Sequence, residues 1–94
     1  RAEITNTLRT HLSNPTNIRD AFISEPILRP VAGTPLYVSC IRYNPRDSKG
    51  QYLGNQENVA IFLDGRLNQF LPVNRELCAN VNYQRFPEAE AMRP

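Results

Sequence analysis

The sequence predicts an α+β domain in which a short N-terminal helix packs on an antiparallel sheet of three to five strands, with a disulfide between Cys40 and Cys78. Three observations predict it. Ile4, Leu8 and Leu12 fall four residues apart and mark one narrow apolar stripe of a helix. Asp64-Gly65 divides two apolar-rich runs, and Asp then Gly is a pair that a two-residue type I′ hairpin favours, since both central residues take φ > 0. Two cysteines in 94 residues, with eight prolines and no tryptophan, suit a modest core braced by a covalent cross-link.

The helix is expected over Ala2 to Ser13, because Ser13-Asn14-Pro15 stops it: the residue before a proline is pushed out of the α region. Alone it is too short to be stable, so its stripe must lie on the sheet while Asn6, Arg9 and Thr10 face water. A first strand follows around Ala21 to Glu25 with Ile23 inward. Pro26 and Pro30 cannot donate ladder hydrogen bonds, which places this strand at an edge. Val31 to Pro35 is the connecting turn. Leu36 to Asn44 is the next strand, with Leu36, Val38 and Cys40 on one face and Tyr37, Ser39, Ile41 and Tyr43 on the other.

Pro45 to Gln56 is a polar loop with two glycines. In the hairpin from Asn58 to Leu71, the turn sets the register: Leu63 opposite Arg66, Phe62 opposite Leu67, Ile61 opposite Asn68, Ala60 opposite Gln69 and Val59 opposite Phe70. Large apolar groups occupy both faces of its first strand, so that strand belongs inside the sheet. Pro72 ends the second strand, and Val73 to Val81 forms a helical turn presenting Leu77 and Cys78. The segment from Asn82 to Pro94 reads as an extended polar tail of the single domain spanning residues 1–94, with Tyr83 and Phe86 as anchors.

The cysteine pair bears on compartment. A Cys40–Cys78 disulfide persists in an oxidising environment, the periplasm or cell exterior, and closing that loop contributes about 4 kcal/mol on the chain-entropy argument. The alternative is two reduced, buried thiols. No run approaches the length and apolarity of a membrane span. The net charge of +2, eleven cations of which ten are arginine against nine acids, is too mild to indicate a nucleic-acid partner.

Most catalytic chemistries lack their residues. His11 is the sole histidine and sits on the helix, while both cysteines are accounted for by each other, so a Cys-His nucleophile has no basis. Three Cys and His residues, none closely spaced, fall short of a zinc site. The loop from Asp47 to Gly54 lacks the alternating oxygen ligands of an EF-hand, and Asp20, Glu25 and Glu57 read as solvated charges. No metal or cofactor is expected. The candidate binding residues are Arg42, Tyr43, Arg46, Lys49 and Tyr52, cations beside tyrosines at the end of the second strand and in its loop. That combination suits arginine and tyrosine anchors at a protein interface, contacts to an anion, or a solvated loop whose rings cover the sheet edge.

The succession NPTNIRDAFISEP, YVSCIRYNPRDSKGQYLG and VAIFLDGRLNQF, after a short helix and before a later cysteine, resembles a group of small exported and lipoprotein-like proteins of Gram-negative bacteria, over residues 4 to 86. The resemblance implies an envelope location and no catalytic residues. A lipoprotein carries an acylated cysteine at its mature N-terminus, so a lipid anchor would lie upstream of Arg1. The expected function is that of a non-enzymatic periplasmic or outer-membrane-associated protein, an accessory subunit in contact with other envelope proteins. The alternative is a small module for an anionic ligand: polysaccharide, lipid head group or nucleic acid.

Overall fold

A long hairpin built from the first half of the chain sets up the sheet. The computed structural model describes residues 2–72 and 75–92. Helix α1 (Ala2–His11) is followed by strands β1 (Asn14–Ser24), β2 (Ile27–Val31), β3 (Thr34–Arg46), β4 (Gln56–Leu63), β5 (Arg66–Pro72) and β6 (Tyr83–Arg85), then by the short helix α2 (Pro87–Glu90). The strands form one antiparallel sheet in the order β5-β4-β3-β1-β6, with β2 also paired to β3. A helix on an antiparallel sheet with one disulfide is the architecture the sequence predicts. Among the described residues the strand count is six rather than three to five.

The two strands missed have definite physical causes. Pro30 sits opposite Pro35 near the end of the β2–β3 hairpin, where the strand edge asks little of a missing N–H, so proline does not break β2. The link between these strands is not the five-residue turn expected but Ala32-Gly33 alone, at φ +51° and +84°, with Val31 opposite Thr34. That is the φ > 0 pair of a two-residue I′ hairpin, hidden in the sequence because alanine replaces the usual asparagine. β6 was concealed in a polar segment. It pairs with β1 through Phe22–Arg85, Ile23–Gln84 and Ser24–Tyr83, so the C-terminal part of β1 is interior rather than the edge that Pro26 suggested.

Three register irregularities shape the rest. The hairpin turn at Asp64-Gly65 forms as predicted, with Leu63 opposite Arg66 and Phe62 opposite Leu67. Beyond them the register shifts by one: Ile61 meets Gln69, Ala60 meets Phe70 and Val59 meets Leu71. The bulge places Leu67 and Phe70 on the helix side, where both pack on the core, whereas strict alternation would have set Gln69 there. β1 is interrupted twice in its pairing with β3, and Asn17 and Asp20 within it adopt φ +55° and +52°.

The sheet carries apolar groups on both faces. On one, Ile4 and Leu8 of α1 join Ile18, Ala21, Ile23, Ile41, Tyr43 and Ala60, closed off by Phe86, Ala89 and Met92. Leu12 packs at the margin of this cluster, completing the predicted stripe. On the other, Val38, Cys40, Val59 and Ile61 are covered by Leu77, held there by the Cys40–Cys78 disulfide. Residues 75–80 run as turns; Val73 and Asn74, part of the predicted helical turn, lie outside the described residues. The expected extended tail is instead integral to the domain: Phe86 and Ala89 are completely buried. Its polar composition obscured this because only one face of so short a helix needs to be apolar.

A glutamate carboxylate meets a strand amide at each side of the sheet. Glu3 of α1 accepts from the Leu67 amide (2.6 Å) and Glu90 of α2 from the Ala21 amide (3.1 Å). The Leu67 amide lies on the edge strand β5, where an unpaired amide invites another strand, whereas the Ala21 amide lies at the irregularity of β1, inside the sheet.

Candidate functional site

The bulge at Asp20 decides what the disulfide-bearing face of the sheet presents. From Phe22, which lies opposite Arg42, strict alternation would put Asp20 on that face and Arg19 toward the helices. The extra residue sets Arg19, not Asp20, opposite Asn44, and leaves Ile18 buried in the core on the other side. Asp20 takes the left-handed conformation this needs, one that Asp and Asn tolerate better than most side chains.

What results is a face of arginines laid on aromatic rings. The Arg42 guanidinium lies 5.1 Å from the Phe22 ring centroid and 4.8 Å from that of Tyr83, while Arg19 lies 4.2 Å from the ring of Tyr52. Arg85, opposite Phe22 on β6, extends the row and is 76% exposed, with a 3.8 Å ion pair to Glu90. Such stacking holds a guanidinium flat while leaving its N–H edge available, which is the geometry arginine brings to carboxylates and phosphates. Neither the Arg19 nor the Arg42 guanidinium hydrogen-bonds or ion-pairs with another described residue. Glu57 of β4 stands opposite Arg42 and bounds the face. Burial pushes the Tyr83 hydroxyl up from its ordinary value, Glu57 pushes it further and Arg42 pulls it back, so all three groups share one local field.

The rim of the face is rigid. Tyr52 bridges to Arg46 through its backbone and donates its hydroxyl to the Asn17 carbonyl (2.8 Å). Arg46 donates to the Thr16 carbonyl (3.3 Å) and hydroxyl (2.7 Å), tying the start of β1 to the end of β3. In the loop, Asp47 accepts from the Lys49 and Gln51 amides (2.8 and 2.9 Å), and Asn44 accepts from the Gly54 amide (3.0 Å).

Of the five residues singled out in the sequence, Tyr52 and Arg46 come together at one end of this face, Arg42 lies further along it, and Lys49 stands exposed in the loop. Tyr43 is separated from them. It is 1% exposed on the helix side, its hydroxyl donates to Asn58 Oδ1, and burial pushes its pKa up to about 12. Its alternation with Arg42 along β3 already implied opposite faces. Sequence reasoning missed Arg19, Phe22, Tyr83 and Arg85. Arg85 and Tyr83 required knowledge of β6, and Arg19 required the bulge, for which the αL-tolerant Asn17 and Asp20 were the only signal.

A second surface is exposed at the hairpin tips, where Leu28, Tyr37 and Leu63 are 53%, 55% and 47% accessible beside Pro35. No group of three or more His, Cys, Asp and Glu side chains suited to a metal forms among the described residues, and no described helix is long and apolar enough to cross a membrane. Comparison with models of known protein families, with curated proteins and with solved structures finds no match to this chain.

Proposed function

We propose that this is a non-enzymatic protein of the cell envelope that works by contact, an accessory subunit whose arginine–aromatic face docks on another envelope protein. The observation that carries this reading is the pair of stacked guanidiniums, Arg42 over Phe22 and Tyr83 and Arg19 over Tyr52, with no ion pair of their own among the described residues. Arginine and aromatic groups are the side chains that most often dominate binding energy at interfaces, and here the rings reduce the entropy lost on fixing the long side chains. The Cys40–Cys78 disulfide supports placement in an oxidising compartment. A lipid anchor upstream of Arg1 would bring the same face to a membrane-bound partner.

The test is purification from the envelope under native conditions, comparing the natural protein with Arg19→Glu/Arg42→Glu. A partner that copurifies stoichiometrically with the former and is lost from the latter, while both melt at the same temperature, supports the reading. Equal recovery with both proteins, or no stoichiometric partner, contradicts it. The same cations also suit a polymeric anion, and Arg46 and Lys49 at the rim favour that second reading if binding follows total charge rather than position.

A further inference from the structure

We propose that the helix-side groove at the hairpin tips is a binding site for a single-chain amphiphile, a hydrocarbon chain that ends in a cationic head such as a primary ammonium. The groove lies on the opposite face of the sheet from the stacked arginines and is independent of the contact reading above. Its floor is a cross-strand row: Leu28 stands opposite Tyr37, Tyr37 opposite Phe62 and Phe62 opposite Leu67. The β4–β5 end of that row packs on the core that holds Ile4 and Leu8 of α1, whereas the β2–β3 end is bare, with Leu28 53% and Tyr37 55% exposed.

The shape of the groove favours a chain. A cavity of about 580 Å³ lies over Leu28, Tyr37 and Leu63, and a second of about 270 Å³ adjoins it at Pro26 and Phe62 and reaches Ile4 and Ile23. Volumes of this order suit a small, largely apolar ligand. The inner cavity is too small to seat a helix, which with its side chains is about 10–12 Å across. An extended peptide would set its amides against Leu28, Phe62 and Leu63, whose side chains offer no hydrogen bond. A hydrocarbon chain has no such groups to satisfy.

The charge of the head follows from the rim. Glu25 lines the inner cavity and Asp64 the outer one, and among the described residues no Lys, Arg or His lines either. Neither carboxylate has an ion pair among the described residues, and Glu25 accepts a hydrogen bond from Gln84 Nε2 (3.2 Å). Arg29, the cation of β2, is engaged elsewhere: it donates to the Ala79 carbonyl (3.1 Å), next to the disulfide cysteine Cys78. Two uncompensated carboxylates beside an apolar groove attract a cationic head and repel an anionic one.

The probes are decylammonium, decyl maltoside and decanoate, one chain with a cationic, a neutral and an anionic head, titrated below micelle formation and followed by backbone amide shifts. Decylammonium is expected to bind at least about fivefold tighter than decanoate, with decyl maltoside between them and the shifts centred on residues 26–28, 35–37 and 62–65. Glu25→Gln/Asp64→Asn, which keeps a residue suited to the Asp64-Gly65 turn, should erase the preference among heads while decyl maltoside binds as before. Leu28→Ser should weaken all three. Decanoate binding as tightly as decylammonium, a preference that survives the double substitution, or shifts gathered instead around Arg19 and Arg42 overturns the proposal. So does displacement of decylammonium by a basic amphipathic peptide at the same amides, which would give the groove to a protein, or the same shifts on raising the protein concentration alone, which would give it to a second copy.

Discussion

The guanidinium of Arg42 rests 4.8 Å from the centre of the Tyr83 ring, and Tyr83 follows the disulfide cysteine Cys78 by five residues. One face of this half-buried arginine is therefore held by a segment whose attachment to the sheet is covalent. The disulfide covers Val38, Cys40, Val59 and Ile61 with Leu77 and leads the chain into β6, which brings Tyr83 onto the same face. Stability and the proposed contact surface depend on the same cross-link.

Reduction, or the double substitution Cys40→Ser/Cys78→Ser, is expected to lower unfolding free energy by about 4 kcal/mol for a loop of this size. The urea midpoint measured with and without reductant checks this. Near-ultraviolet circular dichroism from the tyrosines should fall in the reduced protein under conditions where far-ultraviolet signal persists.

The buried Tyr43 hydroxyl makes stability fall in alkali. Its pKa is pushed up to about 12 by burial from an ordinary 10.0, so the folded state holds this proton more tightly than the unfolded chain. The contribution is whole below pH 10 and is lost as pH rises toward 12, on the order of 2 to 3 kcal/mol. Tyr43→Phe should flatten the decline in denaturant midpoint over that range, and at neutral pH should cost roughly 1 to 3 kcal/mol because Asn58 Oδ1 is left buried without its donor.

Ala32 is strained at φ +51° in the first position of the β2–β3 turn. Ala32→Asn and Ala32→Gly are expected to raise stability by about 0.5 to 1 kcal/mol, since both tolerate this conformation better than alanine. An unchanged or lower melting temperature for both variants would show that the hairpin does not turn here.

Asp20→Val tests the bulge. A β-branched residue resists φ +52°, so the substitution should cost roughly 1 to 2 kcal/mol, whereas Asp20→Gly should be close to neutral. If the bulge is what turns Arg19 outward, Asp20→Val should also weaken binding to the face more than its loss of stability explains, which comparison of binding at matched folded fraction would reveal.

These particulars show how far the sequence could be read. The α1 stripe, the β3 alternation and the Asp64-Gly65 turn are local patterns, and Cys40 and Cys78, 38 residues apart, are the one pairing that two cysteines allow; all four appear in the structure. The bulge in β5 was not legible, because Leu67 and Phe70 choose their face by what the helix side buries rather than by strand alternation. Phe86 read, with Tyr83, as an anchor in a polar tail, and pairing of β6 with β1 carries it into the core. Within the candidate site, Arg42, Arg46 and Tyr52 could be chosen from β3 and its loop. Arg19, Phe22 and Tyr83 reach the same face through long-range pairing and an irregular strand, neither of which leaves a periodic trace.

The most direct measurement places a photoreactive amino acid at Arg85, on the arginine–aromatic face, and separately at Leu28, in the apolar patch at the hairpin tips, then irradiates cells exporting each variant. A discrete adduct with one envelope protein from position 85 and none from position 28 is the predicted result. An adduct formed only from position 28 would move the contact surface to Leu28, Tyr37 and Leu63 and contradict the role given to Arg19 and Arg42.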